Sequence, residues 1–267
     1  MSALIQTLAV SFAYHGRKVL HEVTLDFQQG EVVSLLGPNG SGKTTLLKIL
    51  LGLLKPDSGF VHFENRLLQS YPRNELAKRI AYVPQVHREA FAYTVADVVL
   101  MGRMPYHGFF STYSAQDREI ATAAMARLNL LDLQDRAYTE ISGGERQLTL
   151  IARAIAQGAN VFIMDEPVNG LDYGNQMRLL RDVNGLAKEG LTFIMTTHFP
   201  DHALMTADRV ILLKEGAVLA DGCPDATITR ETLRALYRID VHVAVVAAIP
   251  GYNGSRNGRV CVPAWAL

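Results

Sequence analysis

The chain has 267 residues, enough for one large α/β domain or for a core with a sub-domain. Hydrophobic residues make up 49% and charged residues 19%, which excludes a disordered or low-complexity chain. Lysine plus arginine and aspartate plus glutamate both number 26, so no net basic field favours nucleic acid as a partner.

The apolar runs are short. The longest, such as residues 32–36 and 161–164, fall far below the roughly 18 residues that a membrane span needs. Residues 1–10 carry no basic region and no small-residue cleavage site, so we expect no secretory signal and a cytosolic location by default. Cys223 and Cys261 have no further ligand at metal spacing, which favours reduced thiols.

The first elements in chain order are strands. Apolar segments around 8–12 and 23–27 flank a turn at 14–17, which predicts an antiparallel edge piece. Residues 31–36 predict a short buried parallel strand that ends on a glycine. Leucines at helical spacing predict a helix over 44–54. A glycine-rich loop therefore joins a strand to a helix.

That loop has the spacing of a P-loop, in the required strand-to-helix context. Its residues are Gly37, Pro38, Asn39, Gly40, Ser41, Gly42, Lys43 and Thr44, and Thr45 belongs to the same predicted nucleotide site. The glycines let backbone N–H groups point at phosphate, and the helix N-terminus adds its positive end. Lys43 is expected to reach the β- and γ-phosphates and Thr44 to offer a hydroxyl to Mg²⁺. The loop alone leaves kinase, GTPase and ATPase open.

Hydrophobic periodicity divides the rest of the chain into a helical segment and an alternating α/β segment. Two helical segments at 95–101 and 117–131, with a loop at 105–114, predict a helical insertion. Strands and helices then alternate, with strands at 161–164, 191–196 and 209–213 and helices at 144–157 and 175–188. We expect an α/β fold with a parallel sheet. The predicted domains are a core of 1–85 and 140–240, a helical sub-domain of 86–139 and a tail of 241–267 with a possible small hairpin.

An apolar strand at 161–164 ends in two carboxylates. Asp165 can hold Mg²⁺, and Glu166 can polarise an attacking water molecule. This order is a Walker B pattern followed by a catalytic glutamate, which favours hydrolysis of the nucleotide.

A second anion-binding helix start follows Ile141. Ser142, Gly143 and Gly144 stand directly before an amphipathic helix, and one nucleotide cannot easily use both helix starts. At this point the chain resembles the ABC ATPase family, whose signature motif reads Leu-Ser-Gly-Gly-Gln. Ile141 and Glu145 depart mildly from it. The resemblance spans residues 8–241 and implies a P-loop NTPase, RecA-like core that uses ATP and Mg²⁺.

Further landmarks fall in the family order, and their roles are implied by the resemblance. Tyr14, in the loop after the first strand, resembles the aromatic that stacks on adenine. Gln85 resembles the Q-loop glutamine that touches Mg²⁺ and water. His198 ends a strand and resembles the switch histidine at the γ-phosphate. Residues 169–172 occupy the D-loop place without its usual Ser-Ala opening, so only Asp172 is carried over.

The resemblance also implies partners. Two copies pair head to tail, so that each ATP lies between Lys43 of one and Ser142 of the other, and product release reopens the dimer. Membrane-spanning permease subunits receive the motion through the helical insertion, and a substrate-binding protein takes part indirectly. The chain is then expected at the cytoplasmic face of the membrane. Residues 91–103 with Pro105 and Tyr106 resemble importers of iron-siderophore, haem and cobalamin type, with molybdate-type importers as the alternative.

Two other classes remain as alternatives. One is a soluble ABC-type ATPase of DNA repair or translation, but the chain has neither a long coiled-coil insertion nor tandem ATPase cores. The other is a P-loop kinase or GTPase, to which the signature residues Ser142, Gly143 and Gly144 are foreign.

Overall fold

The computed structural model describes residues 3–85, 93–108, 112–246 and 258–266. The start of the predicted helical insertion, 86–92, and the predicted turn of the tail, 247–257, lie outside the described residues. The chain divides into two compact units. The first unit comprises residues 1–68 and 194–267, and the second unit comprises residues 69–193. The predicted division into a core, a helical sub-domain and a tail stays a prediction.

Two sheets form the frame of the first unit. The strands are β1 Ile5–Tyr14, β2 Arg17–Phe27, β3 Val32–Leu36, β4 Ser58–Phe63, β5 Arg66–Leu67, β8 Thr192–Thr197, β9 Arg209–Lys214 and β10 Ala217–Gly222. The antiparallel sheet has the strand order β2-β1-β4-β5, and the other sheet includes four of these strands in the order β10-β9-β3-β8. Strand β8 begins in the second unit and ends in the first. Strands β3 and β9 are parallel, and their buried positions are apolar except for Ser34, as expected for strands covered on both faces.

Helices and a terminal hairpin complete the first unit. The helices are α1 Lys43–Leu50, α7 Pro200–Thr206, α8 Pro224–Thr227 and α9 Arg230–Tyr237. Strands β11 Val241–Val246 and β12 Gly258–Pro263 pair antiparallel. Helices α7 and α9 bury apolar side chains such as Ala203, Leu233 and Leu236 in a cluster with Leu36 and Leu212 of the sheet. This packing fixes the strand end from which the glycine-rich loop begins.

Helices dominate the second unit. They are α2 Arg73–Ala77, α3 Val95–Leu100, α4 Ala115–Arg127, α5 Gly143–Ala156 and α6 Tyr173–Lys188. Strand β6 Ile80–Val83 pairs in parallel with β7 Val161–Met164. Helices α3, α4 and α5 pack against one another. Across the described ranges, no helix is both long enough and apolar enough to span a membrane.

The predicted α/β fold class with a parallel sheet, an antiparallel edge piece and helices is confirmed, but several bounds differ. Helix α1 ends at Leu50 rather than at 54, because Gly52 takes a left-handed φ of 69° and the N–H of Leu53 turns back to the carbonyl of Lys48. Tyr14 is the last residue of β1, not a loop residue. His15 and Gly16, both with positive φ, form a two-residue hairpin and pair Tyr14 with Arg17.

The predicted loop at 105–114 begins as a helix. A 3₁₀ helix covers Met101–Tyr106, because two of its side chains are anchored on the end of α5. Arg103 donates to the carbonyl of Ala156 at 2.8 Å, and the Tyr106 hydroxyl donates to that of Gln157 at 3.0 Å. Helix α4 starts before the predicted residue 117, because Ser114 and Asp117 form a capping box.

Candidate functional site

The glycine-rich loop leaves β3 at Gly37 and enters α1 at Lys43. Gly40 and Gly42 have φ of 79° and 102°, a region that other residues rarely adopt. Gly37 has no room for a side chain, because a Cβ there would lie 2.3 Å from the carbonyl oxygen of Leu213. The backbone of the loop is therefore shaped by its glycines, as the P-loop pattern requires.

Polar groups line the inside of this loop. Lys43 is only 6% exposed, and its ammonium donates to the carbonyls of Gly37 at 2.7 Å and Pro38 at 3.0 Å. The hydroxyl of Ser41 is buried and has no hydrogen-bond partner within the part of the chain that the structure describes. A buried hydroxyl without a partner is costly unless a ligand supplies one. The loop thus fits the phosphate chain of a nucleotide, with Asn39 and Thr44 exposed and Thr45 buried.

Two more predicted residues lie in the first unit. Tyr14 is 39% exposed at the end of β1 and meets Phe12 edge to face, at 4.8 Å between ring centroids. His198 follows β8, the neighbour of β3 in the sheet order. Its ring packs on Phe199 at 4.0 Å, and its carbonyl accepts a hydrogen bond from the Tyr237 hydroxyl at 3.2 Å. Both predicted residues thus stand at strand ends.

In the second unit, the parallel pairing of β6 with β7 brings two predicted residues together. Gln85 follows β6 and Glu166 follows β7, and the Gln85 amide Nε2 donates to Glu166 Oε2 at 3.1 Å. Asp165, 5% exposed, is held by its N–H, which donates to the carbonyl of Val83 at 3.0 Å. Burial, and then the charge of Asp165, raise the pKa of the neighbouring Tyr82.

Glu166 has an unusual backbone. Its φ is 44°, a left-handed conformation that costs a non-glycine residue free energy and that clusters at functional sites. The turn is closed by the N–H of Asn169, which donates to the Glu166 carbonyl at 3.0 Å. The Asn169 side-chain amide also donates to Glu166 Oε2, at 3.2 Å. Sequence reasoning did not assign Asn169, although it stands where the D-loop departs from the family pattern.

The signature residues begin helix α5. Ser142 is the N-cap, with its Oγ accepting from the N–H of Glu145 at 3.3 Å and its own N–H donating to Glu145 Oε2 at 2.7 Å. Hydrogen bonding of the Glu145 carboxylate to the Ser142 side chain, and then to the Ser142 backbone N–H, lowers the pKa of Glu145. Because a capping box takes either Glu or Gln at its fourth position, the departure at Glu145 keeps the local geometry.

The two glycines of the signature pack against the start of α6 and the residues just before it. A Cβ on Gly144 would lie 2.7 Å from the side chain of Asn175, and one on Gly143 would lie 3.6 Å from Leu171. Asp172 is the N-cap of α6, and its carboxylate accepts from the N–H of Asn175 at 2.9 Å and from its amide at 2.7 Å. The structure therefore gives Asp172 a capping role and joins the D-loop to the signature.

The predicted Mg²⁺ ligands all offer oxygen atoms. Among the described residues, no group of three or more His, Cys, Asp or Glu side chains could hold a metal. Thr44, Gln85 and Asp165 offer hydroxyl, amide and carboxylate oxygens, which are hard ligands. Magnesium commonly takes one or two such protein ligands and completes its shell with phosphates and water. The chemistry of these three side chains therefore fits Mg²⁺.

Comparison with known proteins identifies the family. The family model described as ABC transporter matches residues 20–169. The chain belongs to the ABC transporter family. It is an ATPase whose hydrolysis of ATP is coupled to transport, as is general in this family. The resemblance to the ABC ATPase family that the sequence motifs indicate is therefore confirmed.

Four similar proteins show how far the likeness extends. The hemin import ATP-binding protein HmuV of Pseudomonas putida is 37% identical over 245 residues, 90% of this chain and 94% of its own. The petrobactin import ATP-binding protein FpuC of Bacillus anthracis is 33% identical over 257 residues, 96% and 94% of the two chains. An inward-facing structure assigned to a metal-chelate type ABC transporter has a TM-score of 0.86 and 32% identity over 98% of both chains. The dimeric cassette MJ0796 has a TM-score of 0.72 and 29% identity over 82% of this chain and 98% of its own.

Proposed function

We propose that the chain is the ATP-hydrolysing subunit of an importer that takes up a metal chelate, such as an iron-siderophore complex, haem or cobalamin. The observation that carries this proposal is the match to the metal-chelate type transporter structure over 98% of both chains. Relatives named for hemin and petrobactin import support the same cargo class. This match includes the C-terminal tail as well as the nucleotide-binding segments, which favours a metal-chelate importer over ABC proteins that are not transporters of this type.

The proposed chemistry assigns a role to each predicted residue. Residues 37–45 of the loop hold the phosphates, with Lys43 at the β- and γ-phosphates, and Tyr14 stacks on adenine. Thr44, Gln85 and Asp165 hold Mg²⁺, which when bound offsets the phosphate charge.

Hydrolysis then depends on two side chains that follow strands. Glu166 accepts a proton from, or orients, the attacking water, and its contact with Gln85 at 3.1 Å fixes the carboxylate for this task. His198 and Lys43 donate hydrogen bonds to the γ-phosphoryl group as its negative charge redistributes.

The proposed active form is a dimer of two copies of this chain, in which Ser142, Gly143, Gly144 and Asp172 of one copy face the nucleotide of the other. The capped start of α5 presents backbone N–H groups, which suits an anionic phosphate. The dimeric structure of the similar cassette MJ0796 supports this arrangement. The further proposed partners are membrane-spanning permease subunits at the cytoplasmic face of the membrane and, indirectly, a substrate-binding protein.

The first test measures hydrolysis and assembly together. We would compare the wild type with Glu166→Gln, which keeps the shape of the side chain and removes its charge, in ATPase assays and in size-exclusion chromatography with ATP and Mg²⁺. We expect the variant to lose hydrolysis and to accumulate as an ATP-bound dimer. A variant that remains monomeric and active would refute the role of Glu166.

The second test concerns the cargo. A strain that lacks this chain is supplied with labelled haem, ferric siderophore, cobalamin or molybdate, with the wild-type chain or Glu166→Gln restored. We expect loss of uptake of one of the three chelates and recovery with the wild type only. Loss of molybdate uptake alone would contradict the proposed cargo class.

A further inference from the structure

One residue near Glu166 has no role in the function described above. Asn169 opens the D-loop segment at the position where the chain departs from the family pattern. Its side-chain amide donates to Glu166 Oε2 at 3.2 Å, and the Gln85 amide donates to the same oxygen at 3.1 Å. Two neutral donors, one that follows β6 and one that follows β7, therefore meet on one carboxylate oxygen.

The backbone explains why such support is needed. Glu166 has a φ of 44°, so its side chain leaves a strained turn rather than the regular end of β7. The N–H of Asn169 closes that turn on the Glu166 carbonyl at 3.0 Å. Asn169 thus holds both the main chain and the carboxylate of Glu166, while Gln85 holds the carboxylate from the end of β6.

We propose that Asn169 is a positioning residue for hydrolysis, which orients the Glu166 carboxylate through its side-chain amide. The inference rests on the proposed role of Glu166. A general base acts only within hydrogen-bond reach of the water it deprotonates, so a carboxylate free to rotate spends less time in the reactive geometry. The amide acts on the chemical step and not on binding, because its contact is to the base rather than to the nucleotide.

The test separates these two effects. Asn169→Leu keeps the approximate shape and removes the donor, whereas Asn169→Asp keeps the shape and places a second carboxylate beside Glu166. Asn184→Leu, at a half-buried position of α6, is the matched control. We expect kcat to fall about tenfold in Asn169→Leu, which corresponds to about 1.4 kcal/mol of barrier, and further in Asn169→Asp, with KM for ATP unchanged. The control should stay within about twofold of the wild type.

If Asn169 had only a structural role, its substitution would also change ATP-dependent dimer formation. The ATP concentration that produces dimers is compared between Glu166→Gln and the double variant Glu166→Gln/Asn169→Leu. If Asn169 acts through the carboxylate, the two concentrations agree. A double variant that needs much more ATP, or an Asn169→Leu variant with unchanged kcat, would overturn the inference. An active Glu166→Gln variant would instead remove the proposed role of Glu166 itself, so the two failures can be told apart.

Discussion

Gly42 gives the sharpest stability prediction, because its surroundings allow the cost of one methyl group to be worked out. Its φ of 102° lies outside the range of ordinary residues, and a Cβ there would lie 2.8 Å from Leu20 Cδ2 and 2.9 Å from the carbonyl oxygen of Val19. Gly40 has a φ of 79° and nothing within 4 Å of the same added atom. Both glycines have a positive φ that disfavours other residues, but only Gly42 has neighbouring atoms that an added Cβ would contact.

Substitution by alanine separates the two costs. Gly40→Ala should lower the free energy of unfolding by about 1–2 kcal/mol, the cost of the left-handed backbone alone. Gly42→Ala adds overpacking against Leu20 and Val19, about 1–3 kcal/mol, so its total is about 2–5 kcal/mol. Against a typical stability of about 5–15 kcal/mol, the second variant should be clearly less stable than the first.

The measurement is urea unfolding at equilibrium, followed by circular dichroism, for the wild type and both variants under the same conditions. The difference between the two variants isolates the steric cost. If Gly42→Ala and Gly40→Ala unfold with the same midpoint and slope, the close packing of Gly42 on β2 does not contribute and the reasoning fails.

Two further predictions concern the adenine contact and a buried carboxylate. Tyr14→Ala should raise the Kd for ATP about tenfold, since aromatic stacking on a base contributes about 1–3 kcal/mol. Tyr14→Phe keeps the ring and should bind ATP like the wild type. If a fluorescent-nucleotide titration gives Tyr14→Ala the same Kd as Tyr14→Phe, the stacking role is refuted. Hydrogen bonds from Ser114 and then from Arg103 hold the pKa of Asp117 well below its usual range, so its stabilising contribution is present at neutral pH and is lost as the pH falls below the ordinary carboxyl pKa towards that depressed value. Asp117→Asn should therefore unfold more readily than the wild type at pH 7, and the difference in unfolding free energy should shrink as the pH is lowered from 5 towards 2; a difference independent of pH would contradict it.

The P-loop could be predicted because each of its parts is a local requirement. The glycine positions, Lys43 and the start of α1 follow from the order of strand, loop and helix, and the structure places the Lys43 ammonium against the loop carbonyls. The end of α1 could not be predicted from periodicity, because leucines continue past Leu50 while Gly52 adopts the left-handed turn that ends the helix. In this segment a single glycine outweighs the hydrophobic pattern.

Contacts between residues far apart in the chain could not be predicted from the sequence. The 3₁₀ helix at Met101–Tyr106 depends on Arg103 reaching the carbonyl of Ala156 and on Tyr106 reaching that of Gln157. Arg103 also lies over the Tyr106 ring, at 3.8 Å, and donates to Asp117 at 2.9 Å. The sequence predicts a loop at 105–114, because nothing local indicates that the end of α5 will supply these acceptors.

The arrangement around Glu166 shows why a catalytic glutamate can be recognised while its support cannot. A carboxylate after a buried strand is visible in the sequence, and parallel pairing of β6 with β7 makes its contact with Gln85 understandable, although the two residues are 81 positions apart. The left-handed φ of 44° is not visible, since glutamate has no preference for it. Once that turn exists, the residue three positions on faces back towards the carboxylate, and an amide donor at Asn169 is able to hold it. The geometry of the turn therefore brings the side chain of residue 169 within reach of the carboxylate, at the position where the chain departs from the family pattern.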